Sequence, residues 1–367
     1  MNINIEKILI VLPGDKLAGS EKVLLSIAQE MYRRGIEINV LIWFIDPDKK
    51  GQWKPFEDDF NISYINDFSV SGFIQFIKYL RNIRQEKNDL TISSNIKLNG
   101  VLGFLRKFKQ LSTRILVLRE PSSPFLRYTS KFKILSYKLF YYLGYQSADF
   151  LVFQTDIMKA TFFKNLPFKI KSDVFLNPVN YSEIVENSLD INVKPQNYGR
   201  YIVAAGRFIP EKGFELLIES FSLIQDKSIK LLILGSGDLE QSYRNLIKVH
   251  RVEDRVVFTG FVLNPLPYFK FATCCIVSSL SEGYPNTLLQ MISLNSNVIS
   301  TRCCGNLDEI PNLKLIPIDS IVDITKALDF KLNIDMDTHP KDETIIYIQN
   351  RNSKAYVDKL IKNLTSI

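Results

Sequence analysis

Apolar residues follow two rhythms along this chain. Short unbroken apolar runs alternate with longer segments in which every third or fourth residue is apolar. Lys7 to Leu12 reads as a buried strand, followed by a loop with Gly14 and Gly19. Val23, Leu24, Ile27, Ala28 and Met31 then share one helical face, Gly35 ends the helix, and Ile38 to Trp43 reads as the next strand. Strand, helix and strand in that order make the βαβ unit of a parallel sheet. Similar short runs recur at Ile115–Leu118 and Phe150–Phe153.

A polar stretch without periodicity, Tyr181 to Arg200, reads as a linker. A second series begins at Tyr201–Ala205, with helical spacing at Phe214, Leu216, Leu217, Phe221 and Ile224. Further strands are expected at Leu231–Leu234, Val256–Phe258, Cys275–Ser278 and Asn297–Thr301. Glu343 to Leu364 is helical in pattern. The expectation is an α/β protein of two Rossmann-like domains, residues 1–180 and 181–345, with a C-terminal helix at 346–367 packing back on the first. A length of 367 residues suits two domains. Ligands of such sheets bind beyond the carboxyl ends of the strands, so the loops there hold the candidate chemistry.

Hydrophobic residues make up 46% and charged residues 23%, which excludes a disordered chain. The net charge of +7 is unevenly spread. Residues 1–180 hold 26 Lys and Arg against 17 Asp and Glu, and the remainder holds 20 against 22. Between Phe104 and Tyr145, Arg106, Lys107, Lys109, Arg114, Arg127, Lys131, Lys133 and Lys138 interleave with Phe, Leu and Tyr. This pattern suits an anionic membrane surface, and a solvated basic face over a packed core is the competing reading. Nucleic acid is not expected, because no nucleic-acid module accompanies the charge. The apolar run Ile8–Leu12 is too short for a signal segment and no stretch is long enough to span a bilayer. The expectation is a cytoplasmic protein, peripheral at the inner face of the cell membrane. Cys274–Cys275 and Cys303–Cys304 lack metal-ligand spacing and read as buried thiols.

Four loops of the second half have anion-binding character. Gly206 to Gly213 (GRFIPEKG) puts Arg207 after a strand and Lys212 before a helix, where helix amides add to the cations. Gly235 to Asp238 (GSGD) permits close backbone approach, although a tight turn without a ligand explains it equally. Gly260 and Phe261 close a third strand. Ser281 to Gln290 (SEGYPNTLLQ) places Glu282 after a buried strand, with Gly283 and Pro285 shaping a turn and Asn286 and Thr287 able to cap a helix. Glu282 suits sugar hydroxyls, or it simply caps that helix.

The order of these segments resembles the retaining family-4 glycosyltransferases with the GT-B fold, in which two Rossmann-like domains face across a cleft. Ala18 to Val40 is similar to that family's first loop and helix, and Phe175 to Val179 to its linker entrance. The resemblance implies that Arg207 and Lys212 bind and stabilise the donor diphosphate. It implies that Glu282 contacts the donor sugar, that the amides around Asn286, Thr287 and Leu288 meet phosphate, and that Gly19, Gly206, Gly235, Gly237, Gly260, Phe261, Gly283, Tyr284 and Pro285 line the substrate. The family's second motif glutamate, which holds the ribose hydroxyls, is Gln290 here, and Ala18 replaces the first glycine of the N-terminal loop. Gln290 keeps the hydrogen bonds and loses the charge.

His250 and His339 lie in no matched motif and read as structural. Arg119 and Glu120 stand where relatives place a histidine. Either Arg119 orients phosphate or acceptor, or Glu120 acts as a base, or the two form a surface ion pair. No metal or other cofactor is expected, since Arg207 and Lys212 would supply the positive charge. The implied activity is transfer of a sugar from a nucleotide-sugar, a UDP-sugar foremost, to a polyprenyl-linked or growing saccharide in surface polysaccharide assembly. The alternatives are a catalytically idle relative that binds nucleotide-sugar or partners, motivated by Gln290 and by the missing N-terminal histidine, and a nucleotide-sugar epimerase.

Overall fold

The computed structural model describes residues 4–43, 51–65, 70–82, 88–333 and 338–366. It divides into two compact units, Met1–Pro178 with Ser353–Ile367, and Val179–Asn352.

In the first unit the order is β1 (Lys7–Leu12), α1 (Gly19–Arg33), β2 (Glu37–Ile42), β3 (Asn61–Tyr64), α2 (Val70–Asn82), β4 (Asn88–Ser93), α3 (Ile96–Lys107), β5 (Thr113–Arg119), α4 (Pro124–Arg127), α5 (Lys131–Gly144), β6 (Phe150–Phe153), α6 (Asp156–Asn165) and β7 (Lys171–Val174). The seven strands form one parallel sheet, ordered β3-β2-β1-β4-β5-β6-β7. Ile8, Leu9, Ile10 and Val11 are all buried, as strands covered on both faces must be. The order reverses between β1 and β4, which places a crevice at their carboxyl ends.

The second unit runs α7 (Tyr181–Asn187), β8 (Tyr201–Ala205), α8 (Phe214–Leu223), β9 (Lys230–Leu234), α9 (Glu240–Val249), β10 (Val256–Gly260), α10 (Leu266–Lys270), β11 (Cys274–Val277), α11 (Asn286–Leu294), β12 (Val298–Thr301), β13 (Lys314–Ile316), α12 (Ile321–Leu332) and α13 (Asp342–Gln349). Its six strands are also parallel, ordered β10-β9-β8-β11-β12-β13, and reverse between β8 and β11. The last helix, α14 (Ser353–Leu364), returns to the first unit, where Tyr356, Val357, Leu360 and Leu364 join the core beside α1.

Two sequence-based expectations change. The stretch read as linker contains a helix, α7, whose first turn is capped by the Asn180 side chain accepting from the Glu183 amide. The chain passes between units at Pro178–Val179 instead. The segment Glu343–Leu364 is two helices, because α13 stops at Gln349 and α14 starts afresh at Ser353. Residues 346–352 therefore stay with the second unit.

Helices α3 and α5 cross at unusually close range. A Cβ on Gly103 would sit 2.0 Å from the Gly144 carbonyl oxygen, and one on Gly144 2.0 Å from that of Gly100. Only glycine lets the two backbones meet there. Gly103→Ala is expected to destabilise the first unit by about 1–3 kcal/mol through overpacking, read by chemical denaturation. An unchanged midpoint would show that the crossing tolerates a methyl group.

Candidate active site

The loops at the carboxyl ends of β8, β9 and β11 are laced together by backbone. The Gly206 amide donates to the Leu234 carbonyl at 2.9 Å and the Phe208 amide to the Ser236 carbonyl at 2.9 Å. Gly235 and Gly237 adopt φ of +147° and +157°. A Cβ on Gly235 would lie 1.9 Å from the Gly206 carbonyl oxygen, and one on Gly237 2.8 Å from the Phe208 backbone. The close approach permitted by these glycines is to the protein's own neighbouring loop. Gly260, at φ +72°, bridges back, its carbonyl accepting from the Gly235 amide at 2.8 Å. Phe261 beside it is 75% exposed.

Gly213 takes the left-handed conformation at φ +62°, and a Cβ there would meet the Ser278 carbonyl oxygen at 2.3 Å. This packing holds Lys212 against the loop after β11. Lys212 Nζ pairs with Glu282 Oε1 at 2.6 Å, and Ser279 Oγ donates to the same oxygen at 2.8 Å. Ser278 Oγ donates to the Lys212 carbonyl at 2.9 Å, and the Leu280 amide to the Glu211 carbonyl at 2.8 Å. The Glu282 amide donates to the Cys303 carbonyl at 2.9 Å, tying the site to the loop after β12. Glu282 therefore does not cap its own helix. Helix α11 begins after Pro285 with no side-chain cap, so Asn286 and Thr287 are helical residues rather than caps. Arg207, in the loop after β8, is exposed, and Gln290 is half-buried on α11.

Tyr284 was expected to line the substrate. It is 5% exposed and its hydroxyl accepts from Arg351 Nη1 at 2.9 Å, with the guanidinium 4.7 Å from its ring centroid. It serves as an anchor for the loop. Gly283 and Pro285 are buried beside it, Leu288 is buried under the first turn of α11, and Gly19 opens α1 on the first unit's surface.

The surface ion pair of Arg119 and Glu120 is not found, because both side chains are buried and point to different partners. Arg119, at the end of β5, donates to Ser94 Oγ at 2.8 Å and Asn177 Oδ1 at 2.6 Å and also bonds Tyr356 of α14. Burial pulls its pKa down. Glu120 accepts from the hydroxyls of Tyr141 on α5, at 2.8 Å, and of Tyr145, the residue that caps the end of that helix. Asn99 braces this group, donating to Tyr145 Oη at 3.1 Å and to the Arg119 carbonyl at 3.0 Å. Sequence reasoning missed Asn99, Tyr141, Tyr145, Asn177 and Tyr356 as partners. These i, i+4 tyrosines were visible only as aromatics within a basic stretch.

Burial pushes the Glu120 carboxyl up to about 7, the tyrosine hydroxyls only partly offsetting it. A carboxyl whose pKa is raised on folding favours the folded state while protonated. Its contribution is present below the unfolded pKa of about 4.5 and is lost as pH climbs to about 7. The loss is on the order of 3 kcal/mol at most. Unfolding free energy is expected to fall across that window, and Glu120→Gln is expected to flatten the fall. Parallel pH profiles for the two proteins would refute the assignment.

A family profile described as glycosyl transferases group 1 matches residues 199–329. An uncharacterized glycosyltransferase of Methanocaldococcus jannaschii is 31% identical over 250 residues, 62% of this chain and 58% of that protein. The N-acetylgalactosamine-N,N'-diacetylbacillosaminyl-diphospho-undecaprenol 4-alpha-N-acetylgalactosaminyltransferase of Campylobacter jejuni is 27% identical over 189 residues, 51% of this chain and 50% of that enzyme. The chain thus spans 58% and 50% of the length of these two curated relatives. An Anabaena protein solved in complex with UDP and glucose superposes with a TM-score of 0.76 at 16% identity, over 99% of this chain and 100% of the other. That likeness covers the fold, the GT-B arrangement of two parallel sheets. Residues 199–329, which carry these loops, are thus similar to the glycosyl transferases group 1 family.

Proposed function

We propose that this chain is a retaining glycosyltransferase that moves a sugar from a UDP-sugar to a lipid-linked or growing saccharide in surface polysaccharide assembly. The observation that carries the reading is the Lys212–Glu282 pair, held by four backbone-laced loops at the switch point of the second sheet. In this reading Arg207, Lys212 and the first-turn amides of α11 hold the donor diphosphate. Glu282 accepts from sugar hydroxyls. The bond from the anomeric carbon to the diphosphate breaks, the acceptor oxygen bonds to the same face, and its proton passes to the leaving phosphate. The two cations stabilise charge on that phosphate as it departs, so no metal is required. The relatives' descriptions lend support, one naming UDP and glucose and another a diphospho-undecaprenol substrate.

The lipid side of the reading rests on α5. Phe132 is 86% exposed, Leu135 64%, Leu139 65% and Tyr142 52%, a stripe along one face of the helix. A basic face over a packed core would turn these residues inward. Lys131, Lys133 and Lys138 flank the stripe, and no Asp or Glu occurs between 121 and 148. Apolar residues ringed by cations fit the interface of an anionic bilayer. No described helix is long and apolar enough to cross a membrane.

UDP is expected to bind by calorimetry in preference to GDP, and Arg207→Ala or Lys212→Ala to weaken it about tenfold or more by loss of a charge-assisted contact. Turnover is expected to survive chelation. Absence of nucleotide binding and of turnover with any donor would favour the idle reading that Gln290 motivates. Vesicles containing phosphatidylglycerol are expected to sediment with the protein, pure phosphatidylcholine vesicles are not, and Phe132→Ser with Leu135→Ser is expected to abolish the difference. Equal binding to both vesicles would remove α5 from the proposal.

A further inference from the structure

We propose that Cys303 and Cys304 form a reversible disulfide site whose closure releases the loop carrying Glu282. The functional meaning of that release rests on the donor-site reading above.

The chain has two adjacent cysteine pairs, and their surroundings differ. Cys274 and Cys275 lie in β11, where successive side chains leave opposite faces, and both are fully buried. Their thiols donate to the carbonyls of Cys275 and Phe269. Cys303 and Cys304 follow β12 in a loop, and the Cys303 thiol is near enough to raise the pKa of its neighbour. Cys303 is 6% exposed, whereas Cys304 is only half-buried, so a small reagent meets Cys304 first.

The geometry of the intervening peptide gives the pair its consequence. The Cys303 carbonyl accepts the Glu282 amide at 2.9 Å. That carbonyl belongs to the peptide that joins the two cysteines, so it lies inside the ring that a disulfide would close. Neighbouring Cα atoms stand about 3.8 Å apart across a trans peptide, while disulfides normally span about 4.4–6.8 Å. Closure must twist this peptide and turn its carbonyl, and the backbone bond to Glu282 is lost with it. The Glu282 side chain, bonded to Lys212 and Ser279, is then held from one side only.

The chemistry needs an organic disulfide as oxidant. The Cys304 thiolate attacks one of its sulfurs, forming a mixed disulfide and expelling one thiolate. Cys303 then attacks the Cys304 sulfur and expels the second. Two protein thiols and one disulfide become one protein disulfide and two small thiols, which take up the two electrons and two protons. The Cys303 thiol, burial and Glu282 together hold Cys304 above its usual pKa, so the exchange quickens as pH rises. The strained product is easily reduced, the property of regulatory rather than structural disulfides.

The test incubates the full chain with oxidised glutathione at alkaline pH and follows three readouts. The peptide holding Cys303 and Cys304 is expected to lose about two mass units while the Cys274–Cys275 peptide is unchanged. Amide exchange in the segment holding Glu282 is expected to quicken about tenfold, and dithiothreitol to restore it. UDP affinity is expected to fall about tenfold in the oxidised wild type and to be untouched in Cys304→Ser. A disulfide that leaves Glu282 exchange unchanged overturns the proposal, as does a stable glutathione adduct on Cys304 without ring closure. If the reduced protein binds no nucleotide, the donor reading fails, and the mass and exchange readouts still decide this one.

Discussion

An ion pair that is mostly out of water must be built by its surroundings, and Lys212 with Glu282 shows how. Each side chain is less than one-fifth exposed, so neither is well solvated alone. The attraction between them has to offset that desolvation, and it does so only in good geometry with further hydrogen bonds. Ser279 supplies one to the carboxylate, and backbone fixes both partners. Gly213 lets the lysine's loop lie on the Ser278 carbonyl, and the Cys303 carbonyl grips the Glu282 amide. Removing either charge would strand the other, which is why so much of the loop architecture converges here.

The first unit handles its buried charges differently. Arg119 and Glu120 are consecutive, and the sheet sends them to opposite sides. Arg119 is tied to Ser94, Asn177 and Tyr356, which come from the chain just after β4, the chain after β7, and α14. It is a buried cation used as a junction of three distant segments. Glu120 instead joins β5 to α5 through Tyr141 and Tyr145. Neither side chain is spare, so any role in acceptor chemistry would have to be exercised through these networks.

The parts legible in the sequence were those governed by local pattern. Buried parallel strands are apolar throughout, so β1, β6 and β8 were located to the residue. Short edge strands such as β3 and β13 escaped because they carry polar residues and pack on fewer neighbours. The loop after β8 and the loop after β11 were legible as chemistry because cations, glycines and a carboxylate stand beside strand ends. Their direct contact was not, since Lys212 and Glu282 are 70 residues apart. The same limit hid the tyrosines behind Glu120 and the anchoring of Tyr284 by Arg351. Glycine was also ambiguous. Gly235 and Gly237 signal close approach, but sequence cannot say whether the approaching group is a ligand or Phe208 and Gly206.

Identical local composition can also carry opposite consequences, and two cases here separate them on physical grounds. A Cys-Cys step in β11 has its direction set by the pleat, so the thiols part and burial makes them inert. The same step after β12 has no pleat to obey, and the Cys303 thiol perturbs that of Cys304. Helix α5 makes the parallel point for aromatic and basic residues. Tyr141 and Tyr145 face the sheet and bond a carboxylate, while Phe132, Leu135 and Leu139 on the same helix face solvent. The glycines that bring α3 against α5 decide which face is which, because close backbone contact on one side commits the other to the outside. Helical periodicity alone gives the faces, and the small residues give their direction.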